Sequence, residues 1–416
     1  MEGCVRADLY SARNGVPHDP ACTPPNTAII VGGSLTGLAT AIRLAHEGLS
    51  VTVLERGPKF GEGTGLGVDR RQLSRVIGVS AFGDSKHPAL PVIATGREST
   101  SWKAVCGWLR TVALATRGVR LLTNHTVISV RSEDHHAIAD TFDARFDADL
   151  LIGADGRGSM VRRFVAPENR EPLYSGYGLW RGIIDEKDLP ASLAHAYASD
   201  GPSLRVHPRY RLVSYHVPGQ DGSVAPGARA VSWAWYDPDP TLIFETAGCV
   251  RSGVVRRSLR PEEFSPILIS RLDRLAGELW HDPIGRIIRL TLGGGRTFAT
   301  PIAEYLPTRL TSGRLVLVGD AAHLATPATS AGLVSGLDDA EALGDAVRSE
   351  RNGGLAALDV YETLRLGPAQ RLASASRAWS RSYLDQARAS APFGAVPSGR
   401  VAAATRSLRG SVCRKR

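Results

Sequence analysis

The spacing of apolar positions changes along this chain, and each change marks a different element. Ala28 to Val31 is a short unbroken apolar run with two isoleucines and a valine, the pattern of a strand buried on both faces. From Leu35 to His46 the residues Leu35, Leu38, Ala39, Ile42 and Ala45 recur at helical spacing, and Gly48 closes that helix. Val51 to Leu54 reads as a second buried strand. Helical spacing returns over Arg70–Ile77 and Trp102–Ala115, with residues 80–98 irregular between them. Val119–Leu122, Thr126–Arg131 and Phe142–Phe146 read as strands, and Leu150–Ile152 as another, with a helix start near Ser159. Then strict alternation takes over: YGLWRGII (177–184), RLVSYHV (211–217) and RAVSWAWY (229–236) read as antiparallel strands, followed by a helix over Pro261–Glu278. Leu315–Val318 is again a buried strand, and Ala331–Ser349 and Leu355–Ala391 are long helices.

This order predicts an α/β protein. A Rossmann-like nucleotide-binding domain is expected in two pieces, 27–172 and 296–391. An antiparallel-sheet substrate domain, 173–295, is inserted between them, and long helices follow. Residues 1–26, with Pro17, Pro20, Pro24 and Pro25 and no apolar run, are expected to form a disordered leader. Residues 392–416 are expected to form a basic flexible tail.

Composition narrows the function classes. At 416 residues and 43% hydrophobic content the chain can hold two domains with a sizeable core. No stretch offers 18 apolar residues free of charge, so no membrane span is predicted. The five cysteines are scattered without a CxxC, which indicates neither a disulfide framework nor a metal site, and the cytoplasm is the default location. Net charge is +9, but the six basic residues Arg400, Arg406, Arg409, Arg414, Lys415 and Arg416 leave only +3 for the rest, so nucleic-acid binding by the body is not implied. Arginine outnumbers lysine 45 to 5, which is attributed to a GC-rich coding sequence.

Chemistry enters at the turn after the first strand. A Gly-x-Gly-x-x-Gly dinucleotide fingerprint falls on Gly32, Ser34 and Gly37, with Glu55 at the distance of the ribose-binding acid. Serine replaces the second glycine, and Gly33 adds slack. The helix starting near Leu35 and Thr36 would aim unpaired N–H groups at phosphate. A second strand-to-helix turn carries LLIGADGRGSMVR from Leu150, and a third carries GRLVLVGDAAHLATP from Gly313.

In that order the three motifs resemble the FAD-dependent aromatic hydroxylases of the para-hydroxybenzoate hydroxylase type, over about residues 1–390. TSW at 100–102, YSGYGLWRGIIDE at 174–186, YHVPGQDGS and SWAWY look like the subgroup containing 2,6-dihydroxypyridine hydroxylase. The resemblance implies a cofactor set of FAD and NAD(P)H. Gly32, Gly33, Ser34, Leu35, Thr36 and Gly37 would face the pyrophosphate, Glu55 and Arg56 the adenosine, and Val127 the adenine. Asp155 would brace the pyrophosphate region and the nicotinamide groove, and Asp320 would bind the ribityl chain. Pro327 would lie by the flavin ring, with the amides of Ala331, Gly332 and Leu333 at its pyrimidine oxygen. Trp102 stands where a FAD-contacting arginine is common, and Ser330-Ala331-Gly332 replaces the usual Gly-x-Gly. The activity implied is a monooxygenase that passes oxygen from O2, through a flavin C4a-hydroperoxide, to an electron-rich aromatic or enol-like small molecule.

For substrate contact the sheet offers Tyr177, Trp180, Arg181, Tyr215, His216, Trp233, Trp235 and Tyr236. Arg181, a charge among apolar strand residues, wants an acidic partner, either on the substrate or from Glu304 or an aspartate. Arg181, Tyr215, Tyr236 and His323 are the candidate catalytic residues, with a structural role for His323 as the other reading. Two further readings stand beside the enzyme. One is a non-catalytic or redox-sensing flavoprotein. The other is a flavin halogenase, since WAWYDP is similar to that family's WxWxIP, although the isoleucine is missing.

Overall fold

A computed structural model describes residues 25–57, 64–95, 97–197, 201–350 and 354–390. The expected leader up to residue 24 and the whole expected tail, 392–416, lie outside the described residues.

The chain opens with the βαβ unit β1 (Thr27–Val31), α1 (Leu35–His46) and β2 (Ser50–Leu54). Next come β3 (Gly65–Gly67), α2 (Arg70–Ile77), β4 (Ile93–Thr95), β5 (Arg97–Ser101), α3 (Trp102–Ala115) and β6 (Val119–Leu122). A meander of β7 (Val127–Ser132), β8 (Ala137–Thr141) and β9 (Arg145–Ala148) leads into β10 (Leu150–Gly153) and the single turn α4 (Arg162–Val165). The middle of the chain holds β11 (Leu173–Asp185), α5 (Ala191–Ala196), β12 (Ser203–Val206), β13 (Arg211–Val217), β14 (Ala230–Asp237) and α6 (Thr241–Thr246). It continues with β15 (Val250–Arg251), β16 (Val254–Val255), α7 (Pro266–Leu279), α8 (Ile284–Gly293) and β17 (Thr297–Glu304). The last part is β18 (Thr311–Ser312), β19 (Leu315–Leu317), α9 (Gly332–Ser349) and α10 (Gly354–Ala389).

The first sheet runs in the order β18-β19-β10-β1-β2-β6, parallel except for β18. β1 has partners on both sides, Ile29 facing Leu151 and Thr52, which explains why its apolar run is continuous. The chain leaves β1 toward β2 on one side, and on the other side β1 pairs with β10, which the chain reaches only later. The carboxyl ends of β1 and β10 therefore flank a crevice.

The second sheet is antiparallel. β11 lies between β14 and β17, with β13 and β12 beyond β14. Its alternation sorts the aromatic residues by face. Trp180, Trp233 and Trp235 join Leu272, Ile287 and Ile288 of α7 and α8 in one core. Gly182 shares that face, where a Cβ would stand 2.6 Å from the Trp233 ring. The opposite face carries Tyr177, Leu179 and Tyr236, packed against Trp379 and Tyr383 of α10. Farther along this face the three-stranded sheet β3-β5-β4 docks on β13 and β14. The Gly65 amide donates to the Ser232 hydroxyl at 3.0 Å, and the Ser99 hydroxyl donates to the His216 carbonyl at 2.8 Å.

Four local expectations are corrected. The strand expected over Phe142–Phe146 begins with the β8–β9 hairpin turn, where Phe142 stands 77% exposed, and only Arg145 and Phe146 belong to β9. The stretch expected to be irregular, 80–98, contains β4 and the start of β5. The helix expected from Pro261 starts at Pro266, where the Ser265 hydroxyl accepts from the Leu268 amide at 3.2 Å as its N-cap. The helix expected at Ser159 begins three residues later and lasts one turn.

Candidate active site

Four loops meet at the carboxyl ends of the parallel strands. After β1, Gly32 has φ 107°, and a Cβ on it would stand 2.5 Å from the Ala154 carbonyl oxygen. A Cβ on Gly37 would run into the Gly32 carbonyl, so both positions demand glycine. Ser34 sits at the N-cap of α1 with φ −89°, which any residue adopts, and its hydroxyl does not cap the helix. The first N–H groups of α1 therefore have no side-chain partner, and an uncapped helix start is a ready site for a phosphate. The side chains of Leu35 and Thr36 do not face the crevice. Leu35 is in the core, and the Thr36 hydroxyl lies where a Cβ on Gly319 or Gly336 would go, so these two residues offer amides only.

Glu55 ends β2 with each carboxylate oxygen accepting one backbone amide at 2.9 Å, from Gly33 and from Gly57. This ties the acid to the glycine turn. Arg56 beside it is exposed. The His125 amide donates to the Glu55 carbonyl at 2.9 Å, which brings Val127, the first residue of β7, next to the same strand end.

Asp155 differs from its expected role. Its carboxylate accepts from the Ser159 hydroxyl at 2.5 Å and from the Met160 amide at 2.6 Å, so both oxygens are spent on bracing its own loop. Asp320 is the open carboxylate. Solvent reaches it, yet protein crowds it on most sides, as on the floor of a cleft. That crowding pushes its carboxyl up, and the charges of His323, Arg157 and Arg162 pull it back. Arg162 is fully buried. It donates to the carbonyls of Arg170 and Ala321 at 3.0 Å and of Arg157 at 2.5 Å, clamping the loops after β10 and β19 together. Pro327 is exposed, Ser330 takes a left-handed φ of 53°, and Ala331, Gly332 and Leu333 start α9 without a capping side chain. The serine carries a strain that glycine at this position would avoid. These donors, the glycine-only turn and the open Asp320 fit a dinucleotide cofactor laid along the crevice.

Beyond the crevice lies a strip of the antiparallel sheet left open between α10 and the β3-β5-β4 sheet. Arg181, Ile183, Val213, Tyr215, Ala234, Phe298 and Thr300 are all half-buried along it, whereas their neighbours on the other face are sealed. Arg181 is the only charge on this strip among the described residues. Its guanidinium makes one long hydrogen bond, 3.4 Å to the Thr64 hydroxyl, and its Nε is buried without a partner. Glu304, a partner considered from the sequence, pairs with Leu173 at the far end of β11 and accepts from the Ser380 hydroxyl at 2.5 Å. Burial lowers the Arg181 pKa, and the only opposing influences are the phenols of Tyr236 and Tyr215. Burial in turn pushes the Tyr236 hydroxyl up to about 12. Neither phenol has a hydrogen-bond partner among the described residues.

Of the residues expected to be catalytic, the strip thus brings together Arg181, Tyr215 and Tyr236. His323 is not among them. It lies 1% exposed under α9, with Nε2 at 2.8 Å from Asp339 and 3.1 Å from the Ser335 hydroxyl. It corrects to a buried group away from the strip, since no substrate on the strip could exchange a proton with a ring held there. Trp180, Trp233 and Trp235 belong to the opposite core, and His216 faces Glu186 at 3.0 Å. Trp379 was not expected at the site. Its ring meets Tyr236 at 5.7 Å and Tyr177 at 6.1 Å, forming one wall of the strip. The only signal for it was an aromatic pair, Trp379 and Tyr383, one helical turn apart.

Three family descriptions match the chain: FAD dependent oxidoreductase over residues 27–66, FAD binding domain-like over 174–291, and FAD binding domain over 295–376. The chain is 27% identical over 228 residues to 3-hydroxybenzoate 6-hydroxylase of Klebsiella oxytoca, covering 46% of this chain and 54% of that protein. It is 26% identical over 225 residues to 2,6-dihydroxypyridine 3-monooxygenase of Paenarthrobacter nicotinovorans, covering 50% and 54%. It thus spans about half the length of the curated relatives it matches. The solved structure of 2,6-dihydroxypyridine-3-hydroxylase from Arthrobacter nicotinovorans superposes with a TM-score of 0.70 at 21% identity, covering 87% of this chain and 94% of that one. Klebsiella pneumoniae HpxO, solved with FAD and uric acid, superposes at 0.62 and 20% identity, covering 86% and 92%. The glycine turn, the open Asp320 and the three FAD-domain matches agree, and the chain is similar to FAD-binding monooxygenases.

Proposed function

We propose that this protein is an FAD-dependent monooxygenase that uses NAD(P)H and O2 to oxygenate an electron-rich aromatic or enol-like small molecule, bound as an anion on Arg181. The observation that carries this reading is the guanidinium of Arg181, without a carboxylate partner among the described residues, on an otherwise apolar, half-open sheet face next to the cofactor crevice. Bound FAD supplies the redox chemistry, taking reducing equivalents from NAD(P)H and passing oxygen to the substrate. The chain's own residues supply position and dryness. Arg181 holds an ionised oxygen by charge-assisted hydrogen bonds, which keeps an aromatic or enol carbon electron-rich. Tyr215 and Tyr236 stay neutral and act as donors, because burial raises both phenols. Phe298, Val213 and Trp379 exclude water from the bound ring. Gly32 to Gly37, Glu55 and Val127 would hold the adenosine diphosphate half of FAD, and Asp320 with the start of α9 the flavin half.

The units 27–172 with 296–391, and 173–295, are read as the FAD-binding and substrate-binding domains of a cytoplasmic enzyme. No described helix is long and apolar enough to cross a membrane. The deciding experiment supplies purified protein with NADH or NADPH, a panel of phenols, hydroxypyridines and indoles, and isotopically labelled O2. One labelled oxygen atom in the product is expected. Label arriving from water, or turnover without oxygen, would replace the monooxygenase reading with a dehydrogenase or oxidase.

A further inference from the structure

Around His323 the chain has built a charge cluster that the proposed reaction does not use. Asp339 is its hub and is fully buried. Its Oδ2 accepts from the Gly319 amide at 2.8 Å and from His323 Nε2 at 2.8 Å, and its Oδ1 accepts from Arg365 Nε at 2.7 Å. Ser335, in the first turn of α9, joins His323 and Arg365 through its hydroxyl at 3.1 Å to each. The cluster thus locks the turn carrying Asp320 to α9 and α10. A Cβ on Gly332 would lie 4.0 Å from Asp320 Oδ1, so the start of α9 and the open carboxylate share one wall of the crevice.

Asp339 on α9 is paired by Arg365 on α10, which also faces Asp338 at 3.9 Å, and Asp320 lies on the same turn as His323. Arg157 and Arg162 face Asp320 from the loop after β10, and both are directed at other groups or left open. An imidazolium at His323 gives the buried Asp339 a second cation besides Arg365 and sets a positive charge near Asp320. Its Nε2 is anchored, while its Nδ1 has no hydrogen bond among the described residues.

We propose that His323 is a positioning residue that, paired with Asp339, places a positive charge behind Asp320 and thereby raises the reduction potential of the bound FAD. Taking up two electrons and one proton leaves FAD with one more negative charge than it had, and a fixed cation in a low-dielectric wall favours that change. Burial alone would lower the imidazole's pKa, but the Asp339 carboxylate beside it raises it above the ordinary value. The role presupposes FAD in the crevice over Asp320.

His323→Asn is chosen as the test because it keeps a polar group toward Asp339, leaves the Asp339–Arg365 pair intact and removes only the charge. The expected result is a tenfold weaker preference for reduced over oxidised FAD, about 30 mV lower for a two-electron couple. FAD content should stay near one per chain. A purely structural histidine would lower the melting temperature and leave the potential within twofold of the parent, which would overturn the role. Nitrogen-15 NMR of the histidine-labelled, FAD-loaded parent provides a second measurement that needs no variant. One imidazole with both nitrogens protonated should persist clearly above the ordinary histidine value of 6.5, and its absence would equally overturn the role. A parent protein that retains no FAD would remove the cofactor reading itself, a result distinct from an unchanged potential.

Discussion

At Arg181, burial and the lack of a carboxylate act in the same direction. A half-buried cation without a carboxylate partner costs stability, so its retention needs a reason beyond the fold. Arg181→Met keeps the apolar stem and removes the charge. It should raise KM for an anionic substrate roughly 10- to 150-fold, the range expected from a charge-assisted hydrogen bond of about 1.5–3 kcal/mol. The melting temperature of the FAD-loaded protein should stay level or rise. A clear fall would show that Arg181 is paired inside the protein. Asp320→Ala tests the cofactor in the same way. Loss of the one open carboxylate in the crevice should weaken FAD binding by a similar factor, measured by fluorescence titration of the apoprotein. A variant that purifies with full flavin content would remove Asp320 from the site.

At the scale of elements, β11 and β14 work by alternation. One face builds a tryptophan core against α7 and α8, and the other leaves a strip for ligand. Gly182→Ala pushes a methyl group into Trp233 and Thr291, each 2.6 Å from the new Cβ, and should destabilise by about 1–3 kcal/mol in urea unfolding. An unchanged midpoint would mean that the two faces are assigned the wrong way round. The cluster joining α9 and α10 predicts a pH dependence. The His323 pKa is raised from 6.5, so its pairing stabilises fully below about 6.5 and is lost as pH climbs through the higher folded-state value. Asp339 is lowered from 3.8 and contributes above that value, so it adds no slope in this range. Melting curves between pH 6 and 9 should therefore fall more steeply for the parent than for His323→Asn. Equal slopes would contradict the pairing. Strong periodicity made these elements legible in the sequence: β1, α1, α3 and β11 were found within a few residues. The β8–β9 hairpin was misplaced because Phe142 is an exposed apolar residue that marks a turn. The site was legible where glycine and charge leave a local signature, as at Gly32 and Arg181. It was not legible at Trp379 or at the His323 cluster, whose partners meet only after α9 and α10 pack.

On the scale of the whole molecule, the two sheets differ in how far apart in the chain their partners lie. Gly153 and Leu317 are neighbours in the parallel sheet yet 164 positions apart, with the whole antiparallel sheet between them. That sheet brings its own ends together, since Leu173 pairs with Glu304. Once it has formed, the loop that β19 must close shrinks to the 33 positions of 153–173 and 304–317. Loop-closure entropy scales with the logarithm of length, so this shortening lowers the cost of docking β19 by about 1.4 kcal/mol, roughly tenfold in rate. The inserted sheet would thus act as an internal splint in the order of folding. Gly182→Ala, remote from β19, should then slow its docking in pulse-labelled hydrogen exchange, whereas Gly37→Ala should leave that step alone. A protein whose chemistry depends on the parallel sheet would owe the speed of its assembly to the other one.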